Sequence, residues 1–225
     1  MIRPATKQDY PSIRAICKEC FTTDAKYLDL FFNHCPSKAS FVYEMDGKIV
    51  SALHTIGISY VSSKRTNGLR TYYHGLYIYG VGTLKSYRNK GYSSSLINYI
   101  SAGASKIGWD FLLLRPAEPR LIDFYQNVGF TTPIYRSNDL PLFENGAHIS
   151  KLSAVELFKL RDSRLKSNYF QWSHIMLDYI IREAKINPPL PYQTNPTNIP
   201  YTLLKPLSKD FKLDSNSAIF SYPME

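Results

Sequence analysis

The chain has 225 residues, 44% hydrophobic, 14% aromatic and 20% charged, enough for one large domain with its own core, alone or with an appendage. Its 27 Lys and Arg against 18 Asp and Glu give a net charge of +9, which favours anionic partners; the cations are spread without a basic block, and this argues against a nucleic-acid-binding protein. Three cysteines argue against a disulfide scaffold, no apolar run approaches the roughly 18 residues of a membrane span, and the polar start "MIRPATKQDY" shows no secretory pattern, so a soluble cytoplasmic protein is expected, with no membrane partner.

"MIRPA" reads as a short strand stopped by Pro4. Thr6 then serves as an N-cap with Asp9 three residues on, a variant of the capping box, and Ile13, Ile16, Cys17 and Cys20 recur at helical spacing. Cys17, Cys20, His34 and Cys35 could supply four zinc ligands, but two thiols on one apolar helix face read better as core. "DAKYLDLFFNH" predicts a second helix, and "SFVYEMDGKIVSALHTIGISY" a hairpin about Asp46-Gly47. "LRTYYHGLYIYGVGTL" is a long β run whose Gly80 and Gly82 mark a bulge or a place of close approach. After "YRNKGYSSSLINYI" opens a helix with Leu96, Ile97 and Ile100 on one face, "WDFLLLRP" is apolar on both faces, as a parallel mid-sheet strand would be. "EPRLIDFYQNVGF" predicts a helix from Pro119 to Gly129, and "TTPIYRS" a strand.

Residues 1 to 137 thus read β-α-α-β-β-β-α-β-α-β, an α/β (α+β) core with a mixed central sheet flanked by helices. Residues 138 to 225 read as a C-terminal extension, packed on the core or forming a small second lobe. It holds two helices, "SAVELFKLRDSRLKS" and "QWSHIMLDYIIREAK", the connector "NPPLPYQTNPTNIP", and short strands in "YTLLKPL" and "SAIFSYP". Trp172, Ile175, Met176, Tyr179 and Ile180 are expected on one buried face.

The loop at residues 87 to 95 carries the chemistry. Amides at a helix start lack intrahelical partners, and the dipole there favours negative charge. Gly91 allows close approach, Arg88 and Lys90 add charge, and Ser93, Ser94 and Ser95 add hydroxyls, which suits a pyrophosphate as well as it suits a plain capped turn. The loop is neither a Walker loop nor a dinucleotide fingerprint.

Two motifs on this framework resemble the GNAT superfamily of acyl-CoA-dependent N-acetyltransferases. Its Arg/Gln-x-x-Gly-x-Gly/Ala appears as Arg88-Asn89-Lys90-Gly91-Tyr92-Ser93, with Ser93 where Gly or Ala is usual, and its Phe-Tyr-x-x-x-Gly-Phe as Phe124 to Phe130. The resemblance implies acetyl-CoA as cosubstrate and no metal. Val81, Gly82 and Thr83 would hold the acetyl and pantetheine portion, and the amides of residues 88 to 94, Ser94 included, the pyrophosphate. It also implies a small-molecule or peptide amine as acceptor, with Tyr125 as general acid to the leaving thiolate. Glu44, His54, His74 and Tyr79 lie on strands near the expected cleft, and none is chosen as base; a homodimer is left open. The segment "NYFQWSHIMLDYIIREA" weakly resembles enhanced-intracellular-survival-type acetyltransferases, where a terminal carboxylate, here Glu225, would reach the site. The alternative is a non-catalytic acyl-CoA sensor on the same fold.

Overall fold

The computed structural model describes residues 1–21, 24–35, 39–135, 150–165, 168–186 and 200–213. In chain order these form β1 (Ile2–Pro4), α1 (Tyr10–Phe21), α2 (Ala25–His34), β2 (Ala39–Met45), β3 (Lys48–Thr66), β4 (Leu69–Thr83), α3 (Tyr92–Lys106), β5 (Phe111–Leu114), α4 (Ile122–Asn127) and β6 (Thr132–Ile134). Then come α5 (Ala154–Leu165), β7 (Tyr169–Gln171), α6 (His174–Ile186) and β8 (Thr202–Pro206). The expected element order over the first 135 residues is present, and the fold is the expected mixed sheet between helices.

One eight-stranded sheet runs β1-β2-β3-β4-β5-β8-β6, with β7 on β3. Asp46 and Gly47 have φ of 49° and 75°, the paired positive values of the tight hairpin turn that joins β2 to β3. A second such turn, Asn67-Gly68, closes β3 on β4; the sequence reading missed it. β5 pairs parallel with β4 and antiparallel with β8, and all four of its residues are buried, as its unbroken apolar run requires.

The described C-terminal strands join the core sheet. β8 sits between β5 and β6 as an interior strand, so a division at residue 137 would cut the sheet. β2 pairs with β3 only as far as Thr55; β7 takes the same edge at Ser59 to Val61, covering backbone that would otherwise invite another strand. "SAIFSYP", Glu225 and nearly all of the Pro/Asn-rich connector lie outside the described residues.

Helices cover both faces. Ile13, Ile16, Leu28, Phe31, Trp172, Met176 and Ile180, from α1, α2 and the α6 region, share one buried cluster. Leu96, Ile97, Ile100, Tyr125 and Phe130, from α3, α4 and its exit, share the other. Trp172, Met176, Tyr179 and Ile180 are buried as expected, but Ile175 is 67% exposed, because it falls just off the stripe that meets the sheet. At the amino end, the Asp9 carboxylate accepts from the Thr6 N–H at 2.7 Å and from both Arg3 terminal nitrogens at 2.7 and 2.9 Å.

Candidate active site

β4 and β5 pair only from Gly75 to Tyr77 on β4. Beyond Tyr77, β4 continues to Thr83 while β5 ends at Leu114, so the two strands part. At the same level the β3–β4 register slips. His54 is opposite Tyr79 and Ala52 opposite Gly82, which leaves Gly80 and Val81 facing one residue, Leu53. This is the bulge expected at Gly80. Its φ is +59°, and a Cβ there would stand 3.1 Å from His54 Cδ2, so the kink needs glycine.

Gly82 has another task. A Cβ there would stand 2.8 Å from Ile16 Cγ2 and 3.3 Å from Cys20 Sγ, so its bareness lets α1 pack on β4. The Thr83 carbonyl accepts from Arg88 Nε at 3.1 Å and from the Cys20 thiol at 3.4 Å. Ser51 Oγ lies 2.8 Å from Thr83 Oγ1, which in turn lies 2.7 Å from Ser93 Oγ. These contacts tie the end of β4 to the start of α3. They give Ser93 a structural reason at a position where the family pattern has Gly or Ala. They also engage the exposed Arg88 side chain and the Thr83 carbonyl as braces, leaving the Arg88 amide as the part of that residue expected to meet a ligand.

The loop itself is open. Asn89 and Gly91 both take left-handed backbone, φ 61° and 80°, and Gly91 is the N-cap of the 15-residue α3, with no side chain capping it. The first α3 amides therefore lack a helical acceptor and point out of the helix end, beside its positive pole. A Cβ at Gly91 would meet nothing within 4 Å. The Tyr92 ring turns away, 4.6 Å from the Tyr43 ring with its hydroxyl donating to Met45 Sδ, which leaves only its amide for a ligand. Lys90 Nζ stands 5.5 Å from the centre of the Tyr87 ring, and Lys48 Nζ, from the β2–β3 hairpin, 5.2 Å from the same ring. Sequence spacing gave no hint that Lys48 joins the loop, because the hairpin brings it there.

A cleft of about 750 Å³ opens where β4 leaves β5. Tyr79, Gly80 and Val81 form its floor, Tyr125 of α4 and Arg115 one wall, and Asp24, Lys26 and Tyr27 at α2 the other. Tyr125 is 7% exposed, and burial pushes its phenol up to about 12, so it keeps its proton at neutral pH. Desolvation and the Tyr27 hydroxyl act in opposite senses on Tyr79, and desolvation prevails, raising it.

Of the four strand residues considered as base, two are elsewhere. Glu44 is ion-paired with Arg3 at 2.8 Å. His74 Nδ1 lies 3.1 Å from Ser59 Oγ, and the His74 backbone N–H donates to Asp110 Oδ2 at 2.7 Å. His54 and Tyr79 do line the cleft, but His54 is wholly buried, with Nδ1 2.8 Å from Ser40 Oγ and rings of Phe31 and Phe32 against it. The sequence reading missed Glu183 of α6, which enters the same cleft. Its helical offsets from Tyr179 and Ile180, four and three residues, put it on the buried stripe, and that was the available signal.

Cys17 is buried, and its thiol is raised to about 11 by desolvation. Among the described residues no three His, Cys, Asp or Glu side chains gather as a metal site, and no helix is long and apolar enough to cross a membrane.

No curated protein matches the chain by sequence. Among solved structures, the GNAT family N-acetyltransferase YhbS from Escherichia coli, in complex with CoA, is 12% identical; the match covers 98% of this chain and 87% of that one, with a TM-score of 0.52. A probable N-acyltransferase from Enterococcus faecalis is 16% identical over 80% of this chain, with a TM-score of 0.55, and this chain spans 47% of its length. A GCN5-related N-acetyltransferase from Anabaena variabilis is 15% identical over 81% of this chain and 48% of that one, with a TM-score of 0.56. At these identities the likeness is one of fold. The family profile described as acetyltransferase (GNAT) domain matches residues 1–132, more than half of the sequence, and on that match the chain belongs to the GNAT acetyltransferase family.

Proposed function

We propose that this protein transfers an acetyl group from acetyl-CoA to a primary amine by direct attack, with Tyr125 assisting departure of the CoA sulfur. The observation that carries the reading is a conjunction: β4 parts from β5 beside an uncapped helix start, and Tyr125 lines the cleft so formed. Acetyl-CoA supplies an acyl carbon activated as a thioester. The amides from Gly91 to Ser94 would hold its pyrophosphate, with Lys48 and Lys90 adding charge beside them. That a relative of this fold was solved with CoA bound supports the assignment.

Val81, left without a ladder partner by the bulge, has an amide to offer a developing oxyanion. As the N–C bond forms, the C–S bond breaks and its electron pair leaves with sulfur; the amine gives up one proton and the sulfur gains one. The thiolate, by analogy with cysteine at about 8.5, is a weaker base than the Tyr125 phenolate at about 12. Tyr125 therefore helps first by donating a hydrogen bond to sulfur as charge gathers there.

Calorimetric titration with acetyl-CoA, and with acetyl-pantetheine lacking the pyrophosphate and 3′-phosphate, tests the cradle. Binding is expected only for the first. Tyr125→Phe should lower kcat by about a hundredfold, the lower end of general-acid effects, with acetyl-CoA affinity retained. Failure to bind acetyl-CoA overturns the reading; binding with no turnover across an amine panel favours an acyl-CoA sensor instead.

A further inference from the structure

We infer that Glu183 receives the acceptor amine and takes its proton, so that α6 completes the transfer site, and that the acceptor is a monoamine on an apolar or aromatic stem; this rests on the acetyltransferase reading above. Glu183 is 5% exposed, yet it lines the same cleft as Gly80, Val81 and Tyr125. Its Oε2 makes no hydrogen bond within the described residues. A buried carboxylate with one oxygen lacking a protein partner, on a residue that lines the cleft where an amine must lose a proton, is placed to accept an N–H from that amine.

The groups around it are compatible with that task. Tyr27 from α2, Tyr79 from β4 and Tyr179 from α6 face it, with Cys35 nearby. Burial holds both the Tyr79 and Tyr179 phenols above their ordinary value, so neither competes as a base. The buried cation of α5, Arg161, turns instead to the Phe170 carbonyl at 2.9 Å. Desolvation raises the Glu183 carboxyl to about 7, with the Tyr27 hydroxyl opposing. The same desolvation would lower an entering ammonium from about 10.4, so the two proton affinities approach each other.

The acceptor class follows from the walls. Tyr27, Phe31, Tyr77 and Tyr79 line the cleft, with the Tyr27 and Phe31 rings stacked at 6.4 Å and the Phe31 and Tyr79 rings at 5.4 Å. Such faces hold one ammonium and a flat or apolar stem. Beyond Glu183 the cleft carries Lys26 and Arg115 against Asp24, a net positive lining, which disfavours polyamines. In the step, an ammonium proton passes to a Glu183 oxygen, the freed lone pair forms the bond to the acyl carbon, the C–S pair leaves on sulfur, the second proton that the nitrogen sheds on becoming an amide goes to that sulfur, and Glu183 later releases its proton to solvent.

The test uses the full chain, phenethylamine as probe and spermidine as contrast, reading free CoA thiol from pH 5.5 to 9. Wild type should acetylate phenethylamine at least about tenfold faster than spermidine, with kcat/KM rising through an inflection near neutrality. Glu183→Gln should bind acetyl-CoA as wild type does, lose about a hundredfold or more in kcat/KM, and lose the inflection, with Glu183→Asp restoring part of both. In wild type, a 13C-labelled glutamate carboxyl signal that titrates near neutrality should move when phenethylamine is added with CoA present, a readout that needs no variant. Full activity and an unchanged inflection in Glu183→Gln, a carboxyl signal indifferent to phenethylamine, or spermidine as the better acceptor would overturn the inference. Absence of acetyl-CoA binding in wild type would instead sink the acetyltransferase reading beneath it.

Discussion

Replacing Glu183 by Gln should change the stability of the fold by an amount that depends on pH. In the folded chain the carboxyl holds its proton up to about 7, against an ordinary 4.5, because burial penalises the charge. Between those values the native state binds a proton that the unfolded state has released. The favourable contribution is therefore complete below about 4.5 and is lost as the pH rises through about 7. At about 1.36 kcal/mol per tenfold in proton affinity, the interval from 4.5 to about 7 amounts to about 3 kcal/mol at most. Glutamine cannot ionise, and whatever burying its amide costs is the same at every pH. The variant's Tm relative to wild type should thus climb between pH 5 and 8.5. At about 2–4 °C per kcal/mol for a chain of this size, the rise is on the order of 5–10 °C. Calorimetric melts at half-unit pH steps and constant ionic strength would measure it. A difference that stays flat, or that changes only around 4.5, would show a carboxyl in contact with water and refute the argument.

Three further outcomes follow from the geometry. Gly82→Ala should cost about 1–3 kcal/mol by chemical denaturation, because its methyl would stand 2.8 Å from Ile16 Cγ2; Gly91→Ala, with open space but a φ of +80°, should cost about 1 kcal/mol, and equal costs would refute the distinction. Asp9→Asn should lose about 1–3 kcal/mol at pH 7. Arg3 holds the Asp9 carboxyl well below its ordinary value, so that contribution is present above about 4 and fades as the pH falls through the acid range; a penalty constant down to pH 2 would contradict it. Lys48→Ala with Lys90→Ala should weaken acetyl-CoA binding several-fold at low salt and less at high salt, where the screening length falls to a few ångströms, and an effect independent of salt would remove both lysines from the phosphate site.

Local chemistry was the legible part of the sequence. Asp46-Gly47, the Gly80 bulge and the Gly91 loop each depend on a few adjacent residues with restricted backbone options, and each stands where the residues put it. What could not be read depended on distant partners. "YFQ" is three residues long and becomes a strand only because β3 outruns β2. "YTLLKPL" reads as a short strand, and nothing within it says that it pairs on both sides. At the site, the loop and Tyr125 were named from motif, whereas Lys48 and Glu183 arrive by tertiary placement. The base was sought on the strands because they lie near the expected cleft, and the candidate stands on a helix about a hundred residues further along the chain.

The interior place of β8 also orders events in time. Ile134 pairs with Thr202, and β8 bridges β5 to β6, so a chain emerging from the ribosome must hold β5 with a bare edge until its two hundredth residue or so has been made. Pairings across such a span close slowly. The α6 helix that carries Glu183 lies between β6 and β8 in the chain. Nascent chains therefore gain Glu183 and their finished sheet together, late, and truncations inside residues 135–201 should leave an exposed strand edge that recruits chaperones or aggregates.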